Sequence, residues 1–225
     1  MRRRMMMGGS AKPYDAEVEW IGTDNGSGCY IDTGVYGTES LHTQLHIMLT
    51  NTITAAQQFR IGFVQEGYNR YSITWNGSFD IYPSSGTFYK NFRRVTPVYN
   101  QEIVMYHYSR YFEMFMNGNR YVLDIGNIQP YRTNGSIYLF GIDNYYDNTA
   151  HLNPAVGHRI IKCIFTENNN ILRDFIPVRK NGIGYMYDKV SGQLFGNAGT
   201  GQFIIGPDKS SVTIITQQQQ HEMYG

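Results

Sequence analysis

The fold is decided by Tyr111-Phe112-Glu113-Met114-Phe115-Met116, which is followed by Asn117-Gly118 and then by Asn119-Arg120-Tyr121-Val122-Leu123-Asp124. Both flanking segments are rich in the aromatic and branched residues that favour strands. An Asn-Gly pair supplies the two residues with positive φ that a type I′ turn requires. The stretch therefore predicts an antiparallel β-hairpin.

The same signals recur from one end of the chain to the other. Apolar residues alternate with other residues at 44–49, 59–64 and 71–75, as expected of strands with one buried face. The same test predicts twelve more strands, the two hairpin arms included: 17–21, 28–33, 78–82, 87–92, 102–108, 111–116, 119–124, 136–141, 158–166, 170–176, 183–187 and 202–206. No window has a convincing helical period, although 55–58 is compatible with one helical turn. We expect further tight turns at four other Asn-Gly pairs: 25–26, 76–77, 134–135 and 181–182.

About fifteen short strands in 225 residues predict one all-β domain. The expected architecture is an antiparallel two-sheet jelly-roll sandwich. We expect the sandwich to span 15–208, with a short N-terminal arm at 1–14 and a C-terminal strand and polar tail at 209–225.

Two parts of the sequence resemble a known family. The first is Glu19-Trp20-Ile21 followed by Cys29-Tyr30-Ile31-Asp32-Thr33-Gly34, and the second is the closing part of the chain after 157. The closing motifs are Leu172-Arg173-Asp174-Phe175-Ile176-Pro177-Val178-Arg179, Gly182-Ile183-Gly184-Tyr185-Met186-Tyr187-Asp188, Ser191-Gly192-Gln193-Leu194-Phe195 and Asn197-Ala198-Gly199-Thr200-Gly201. They resemble concanavalin A-like, laminin-G-like domains of gut-bacterial surface proteins and of virion proteins of tailed (crAss-like) phages. The resemblance covers roughly 17–208 and implies a sandwich of the lectin/glucanase type, used for binding and display far more than for catalysis.

Charge and hydropathy exclude two classes of partner. Lys and Arg number 19 against 18 Asp and Glu, so the net charge is +1 and no broad basic face is available for nucleic acid. No stretch approaches the ~20 apolar residues that cross a bilayer. We expect neither a nucleic-acid partner nor a membrane partner.

The compartment follows from the N-terminal residues and the cysteines. Arg2-Arg3-Arg4 precedes an apolar run of only three residues, whereas a signal peptide needs about 7–15. We therefore expect no signal peptide and synthesis in the bacterial cytoplasm. Cys29 and Cys163 could in principle form one disulfide, but free buried thiols are the favoured interpretation.

Patterns typical of catalysis are missing from the sequence. It contains no His-Glu-x-x-His, Cys-x-x-Cys or Gly-x-Ser-x-Gly motif, and its Gly-rich segment at 196–201 precedes a strand instead of a helix. Retaining glycosidases need two carboxylates about 5–5.5 Å apart, and only Glu17 and Glu19, beside Asp15, lie two apart in the chain. These three alternate along the first strand as a solvated face would. We expect no enzyme activity and no cofactor.

One segment predicted as a loop, 141–149, is dense in oxygen ligands. Asp143, Asn144 and Asp147 could hold calcium, as a similar loop does in lectins of this fold. The alternative is an ordinary solvated loop, because Asp and Asn are favoured there by turn chemistry alone.

Flat aromatic rings that could stack on sugars are a second candidate site. The candidates for glycan contact are Trp75, Tyr108, Tyr145 and Tyr146, and Tyr106 and Tyr111 flank the same turn as Tyr108. The alternative is core or cross-strand packing, which is the more common use of tyrosine on a sandwich.

Both ends carry residues suited to contacts between subunits. Met5, Met6 and Met7 form a flexible apolar patch, and the uncharged, β-prone segment at 212–216 could add to a sheet edge. The partner-contact residues in that segment are Val212, Ile214 and Ile215. The alternative is that 209–216 completes this chain's own sandwich.

These expectations combine into one hypothesis about function. A lectin-like sandwich with arms and without catalytic carboxylates is typical of a structural component of a phage virion, such as a capsid-decorating, head-fibre or tail-fibre protein. Its partners would be other virion proteins and copies of itself, in a symmetric multimer or at repeated positions. The alternative is a carbohydrate-binding module for bacterial or host cell-surface glycans, and an enzyme ranks third.

Overall fold

The computed structural model describes residues 11–23, 28–50, 59–65, 69–75, 79–85, 90–92, 95–108, 110–146, 149–154 and 157–210. Within these ranges no residue belongs to a helix, so none forms a helix of the length and apolarity that a membrane span requires. The strands there are β1 (Ala16–Glu17), β2 (Ile21–Gly22), β3 (Ile31–Thr38), β4 (Leu41–Leu49), β5 (Phe59–Gln65), β6 (Asn69–Trp75), β7 (Phe79–Ser85), β8 (Lys90–Phe92), β9 (Glu102–Tyr108), β10 (Tyr111–Met116), β11 (Asn119–Asp124), β12 (Arg132–Leu139), β13 (Gly141–Tyr146), β14 (Thr149–Pro154), β15 (His158–Glu167), β16 (Asn170–Lys180), β17 (Ile183–Asp188), β18 (Gln193–Phe195) and β19 (Ile204–Ile205).

These strands form two sheets. Sheet 1 has the order β11-β10-β9-β4-β15-β16-β17-β18, with β2 joining β15 to β19 and with β1 on β16. Sheet 2 has the order β14-β13-β5-β6-β7-β8, and β12 pairs with both β3 and β5. The two sheets pack face to face and confirm the predicted all-β, two-sheet sandwich. All strand pairs are antiparallel except β5 and β13, which run parallel from the pair Ile61 and Gly141 onward.

The core lies between the sheets and follows the alternation of the sequence. In β4 every second residue from Leu41 to Leu49 is buried, and its intervening residues are half-buried on the outward face. In sheet 2, Phe59, Ile61 and Phe63 are wholly buried. Burying each such side chain contributes about 1.5–3 kcal/mol, so this interface is the main source of stability.

Buried polar side chains connect the two sheets through the core. Tyr71 of sheet 2 has its hydroxyl 2.5 Å from Oγ1 of Thr43 and 3.1 Å from Nδ1 of His107, both in sheet 1. Burial, followed by the charge of His42, lowers the pKa of His107 from 6.5 to about 3. The imidazole is therefore neutral in the folded protein at neutral pH.

Short turns connect the hairpins as the sequence predicts. Asn117 and Gly118 have φ of 51° and 72°, and Asn181 and Gly182 have φ of 51° and 75°, as a type I′ turn requires. Asn168 and Asn169, also at positive φ, make the corresponding turn between β15 and β16. The pairs at 25–26 and 76–77 lie outside the described residues.

The prediction of a turn at Asn134-Gly135 is wrong, because both residues lie inside β12. Here glycine is needed for a close approach of the chain. A Cβ on Gly135 would lie 2.3 Å from a ring carbon of Phe63. The segment at 141–149 was likewise predicted as a loop, but its first six residues form β13, held by the parallel pairing to β5.

A buried aspartate organises the closing motif that carries the family resemblance. Asp188 is wholly buried and accepts hydrogen bonds from the backbone amides of Asp174, Val190 and Ser191 and from the Ser191 hydroxyl, at 2.7–3.2 Å. Burial raises the pKa of Asp188, but these hydrogen bonds outweigh it and hold the pKa below its usual value. The Asp188 carboxylate therefore fixes the turn between β17 and β18.

Both cysteines are free and buried. The Cys29 thiol donates to the carbonyl oxygen of Thr200 at 3.2 Å, and burial raises the pKa of the Cys163 thiol. Neither thiol has the exposure that reactive cysteines require.

Candidate functional site

Strands β9 and β10 place alternate side chains on the outward face of sheet 1. The apolar residues of β10 at 112, 114 and 116 belong to the core, so Glu113 and Phe115 take the opposite face. The register sets Tyr106 of β9 opposite Glu113, and Val104 opposite Phe115. Aromatic and acidic side chains from two strands therefore meet on one surface.

A cavity of about 430 Å³ lies on this surface. Its lining residues are Val104, Tyr106, Tyr108, Glu113 and Phe115. This volume falls within the range of small-ligand sites, which are mostly apolar and carry a few fixed polar groups. Phe115 is 38% exposed, so its ring is accessible to a ligand in the cavity.

The polar group of the cavity is the carboxylate of Glu113, and it is held from two strands. Glu113 accepts hydrogen bonds from the hydroxyl of Tyr108 on β9 and from two nitrogens of Arg120 on β11, with Nε at 3.0 Å. The Arg120 hydrogen bonds, followed by that of Tyr108, hold the pKa of Glu113 below its usual value. The carboxylate is therefore ionised and fixed in position at neutral pH.

The rings around the cavity are also held by their neighbours. Tyr106 and Phe115 pack edge to face, with ring centroids 5.9 Å apart and an interplanar angle of 88°. Tyr108 and Tyr111 pack at the same centroid distance with an angle of 43°. Pairs of this geometry stabilise one another, so the rings form a pre-organised surface.

Polar side chains of β4 lie next to the cavity. Gln44 is opposite Tyr106 and His46 is opposite Val104. Nδ1 of His46 lies 2.6 Å from Oε1 of Glu102, and Nε2 of His46 lies 2.8 Å from Nε2 of Gln44. These groups give the apolar cavity a rim that can form hydrogen bonds.

The four predicted glycan-contact residues do not lie together in the structure. Tyr108 lines the cavity, as described above. Trp75 is a correction: it is only 6% exposed and packs in the core against Phe79, with ring centroids 4.7 Å apart. The backbone of Tyr145 and Tyr146 lies in β13 of sheet 2, and their side chains are outside what the structure describes.

The three candidate calcium ligands are described only in part, and no ligand cluster is formed by the part that is described. Asp143 is 4% exposed within β13, and a Cβ on Gly135 would lie 3.1 Å from its Oδ2. The side chain of Asn144 and all of Asp147 lie outside the described part of the chain. Among the described residues, no group of three His, Cys, Asp or Glu side chains is placed to hold a metal. Calcium binding stays a prediction.

The predicted partner contacts Met5, Met6, Met7, Val212, Ile214 and Ile215 all lie outside the described residues. The last described segment does contact the sandwich, since the amide of Lys209 donates to the carbonyl of Glu17 at 2.8 Å. The boundaries at 15 and 208 and the role of the arms stay predictions.

Sequence reasoning missed Val104 of β9 and three residues of the β10–β11 hairpin: Glu113, Phe115 and Arg120. Their signal was present in the hairpin, because Glu113 is a charged residue between two apolar ones on a strand. The register fixed by Asn117-Gly118 places Arg120 directly opposite Phe115, one diagonal step from Glu113.

Comparisons with known proteins add information on the fold. No protein-family model matches the chain, and no curated protein matches it. Among solved structures, the chain is similar to a "putative carbohydrate binding protein" from Bacteroides ovatus ATCC 8483, with a TM-score of 0.52 and 12% identity. The match covers 88% of this chain and 62% of that one, so the chain spans less than two thirds of that protein. At this identity the similarity concerns the fold alone.

A second match is to the enzymatically active domain of tailspike protein 2 of bacteriophage CBA120, with a TM-score of 0.34 and 10% identity. It covers 72% of this chain and 30% of that one. At this TM-score it supports no conclusion.

Proposed function

We propose that this protein is a non-catalytic, carbohydrate-binding sandwich of the concanavalin A-like type that binds a glycan in the cavity on β9 and β10. The observation that carries the proposal is the pairing of the Tyr106 and Tyr108 rings with the fixed carboxylate of Glu113 around one cavity. The C–H face of a sugar packs on flat rings, while its hydroxyls donate to a carboxylate.

The chemistry of the cavity favours a neutral sugar. The carboxylate of Glu113 is paired with the guanidinium of Arg120, so the described residues offer no uncompensated charge that would favour a charged sugar. The Bacteroides ovatus protein, whose name refers to carbohydrate binding, has a similar fold, and this is compatible with the proposal.

The absence of catalysis belongs to the proposal and rests on Glu113. A retaining glycosidase needs two carboxylates about 5–5.5 Å apart, one of them an acid with a raised pKa. Among the described residues, Glu113 is the one carboxylate that lines the cavity, and its pKa is lowered. Such a group accepts hydrogen bonds well and is a poor proton donor.

A glycan array followed by calorimetric titration of the best neutral hit tests the binding. Loss of one stacking ring in Tyr106→Ala should weaken binding about tenfold, and Glu113→Gln should weaken it to a similar extent. The control is Tyr36→Ala, which removes an exposed tyrosine that lies on β3 of sheet 2, away from the cavity. An array without a saturable hit, or equal losses in all three variants, would refute the proposal.

The virion role is the second part of the proposal, and the family resemblance of the closing segment supports it. We propose that the sandwich is displayed on a phage particle, attached through its ends to other virion proteins or to copies of itself. Deletion of 1–12 and, separately, of 209–225 should leave a folded domain and abolish incorporation into particles. Full incorporation of both truncated forms would show that the ends are not the attachment.

A further inference from the structure

The outward face of sheet 2 contains a group of polar side chains that the glycan cavity does not use. On β5 and β6 the residues at 59, 61 and 63 and their partners at 71, 73 and 75 are buried core residues. Arg60, Ser72 and Arg70 lie between them along the same strands, so all three take the opposite, outward face.

Each of these three side chains has a buried donor atom without a partner. Nη1 of Arg60, Oγ of Ser72 and Nε of Arg70 make no hydrogen bond with any described residue. Arg60 is only 4% exposed, and its burial lowers the pKa of the guanidinium to about 10. A buried charge without a counter-charge is strongly unfavourable, so such an atom requires an explanation.

The register places Ser72 between the two arginine side chains on this face. Ser72 is opposite Gly62, which carries no side chain, and Arg60 is opposite Thr74. On one face of a sheet, Ser72 is therefore about 7 Å from Arg70 along its own strand and about 7–8 Å from Arg60 on the diagonal, measured between Cα atoms. Both arginine side chains are long enough to reach the serine hydroxyl.

The contacts of Arg70 place its guanidinium on the β7 side of Ser72, whereas Arg60 lies on the β5 side. The Arg70 guanidinium lies 5.4 Å from the ring centroid of Tyr82, and Tyr82 is the cross-strand neighbour of Ser72 on β7. The Arg70 side chain therefore leans toward the level of Ser72. Arg70 and Tyr82 are half-buried, so this side of the face can be reached from solvent.

Acidic groups of the face do not neutralise Arg60. Thr74 on β6 lies between Arg60 on β5 and Asp80 on β7. The ion pairs among the described residues do not include one between Asp80 and Arg60. A hydroxyl with a guanidinium group on either side, and with no acceptor among the described residues, matches the oxygens of a carboxylate, sulfate or phosphate.

We infer that the outward face of β5 and β6 is a second binding site, which takes an oxyanion between Arg60, Ser72 and Arg70. The ligand group is the carboxylate of an acidic sugar or a free tetrahedral anion, which present the same acceptor oxygens. This site lies on the opposite sheet from the glycan cavity and does not depend on it.

Calorimetric titration and thermal melting with sodium glucuronate, sodium sulfate and sodium phosphate test the inference, each compared with sodium chloride at equal ionic strength. We expect at least one oxyanion to bind saturably and to raise the melting temperature. The preferred anion identifies its source: glucuronate indicates an acidic glycan, and phosphate or sulfate indicates a free anion or an ester.

Two variants that preserve the core locate the site. Ser72→Ala and Arg70→Gln should each weaken oxyanion binding about five- to tenfold. Arg132→Gln is the matched control, because Arg132 also lies on sheet 2 and stacks on Tyr36 at 4.6 Å from the ring centroid. The absence of saturable binding by all three anions, or equal losses in the control, would overturn the inference. Tyr106→Ala should leave oxyanion binding unchanged, which separates this result from failure of the proposed glycan cavity.

Discussion

The outward faces of the two sheets each hold a buried charged side chain, but in opposite ways. On sheet 1, Glu113 is met by Tyr108 from one neighbouring strand and by Arg120 from the other. On sheet 2, Arg60 has Thr74 as its neighbour on β6 and no ion-pair partner among the described residues. A sheet therefore accommodates a buried charge when the adjacent strands supply its hydrogen-bond partners. A buried charge without such partners indicates a place where a ligand can supply them.

Lowering the pH should produce the largest change in stability, because it acts on His107, which is buried in the core between the two sheets. His107 has a pKa of about 3 when folded and 6.5 as the reference value, so the unfolded chain binds the extra proton first. The contribution of neutral His107 to the free energy of unfolding is therefore fully present above about pH 6.5. As the pH falls from there toward 3, the free energy of unfolding decreases by up to about 1.4 kcal/mol per pH unit.

Urea unfolding at pH 7, 6 and 5, above the range in which most carboxylates titrate, measures this loss. His107→Phe removes the titrating group and should show a flatter dependence of the free energy of unfolding on pH. Equal slopes for the two proteins would contradict the prediction.

Arg60→Met should have the next largest effect, and it should increase stability. Replacing an unpaired buried charge with an apolar side chain of similar length should raise the free energy of unfolding by about 1–4 kcal/mol in the absence of oxyanion. The same change should remove the melting shift that oxyanions cause. A decrease in stability at low oxyanion concentration would show that Arg60 has an internal partner.

Glu113→Gln should change stability in the opposite direction. The amide cannot accept from Tyr108 and Arg120 as a carboxylate does, so we expect a loss of about 1–2 kcal/mol, measured by urea unfolding. Together with Arg60→Met, this variant tests whether removal of the buried charge changes the free energy of unfolding in opposite directions on the two faces. A gain in stability here would remove the contrast between them.

Arg120→Met should have the smallest effect on folding, because the Arg120 side chain is 57% exposed. Its effect should appear instead in the pH dependence of glycan binding. The Arg120 hydrogen bonds are the main cause of the lowered pKa of Glu113, so their loss should move the acid limit of binding to higher pH. Titrations from pH 7 to 4 would measure this shift, and an unchanged profile would argue against a role for the ionised carboxylate.

Local signals in the sequence predicted the antiparallel hairpins well. Alternation and the Asn-Gly pair give β10, β11 and their turn without reference to the rest of the chain, and Asn117 and Gly118 have the required backbone angles. Tyr108 could be identified because a tyrosine beside a turn is a common ligand contact. Glu113 was missed because its role depends on partners from two other strands.

Long-range pairing explains the other differences. Asn134-Gly135 carries the same turn signal, but the pairing of β12 with β3 on both sides of it places it inside a strand. The Asp- and Asn-rich segment after 140 has loop composition, yet β5 pairs with it as a strand. Trp75 is compatible with either surface or core by its pattern, and only the facing sheet determines that it is buried.

The parallel pair β5 and β13 also has a consequence for the order of folding. Ile61 and its partner Gly141 are eighty positions apart in the chain, so closing this loop costs about 4 kcal/mol of chain entropy before any contact compensates it. Hairpins with two-residue turns, such as β10 and β11, form within microseconds. We therefore expect the surface of β10 that lines the cavity to assemble early, whereas one edge of β5 waits for β13 and is exposed until then to strands of other chains.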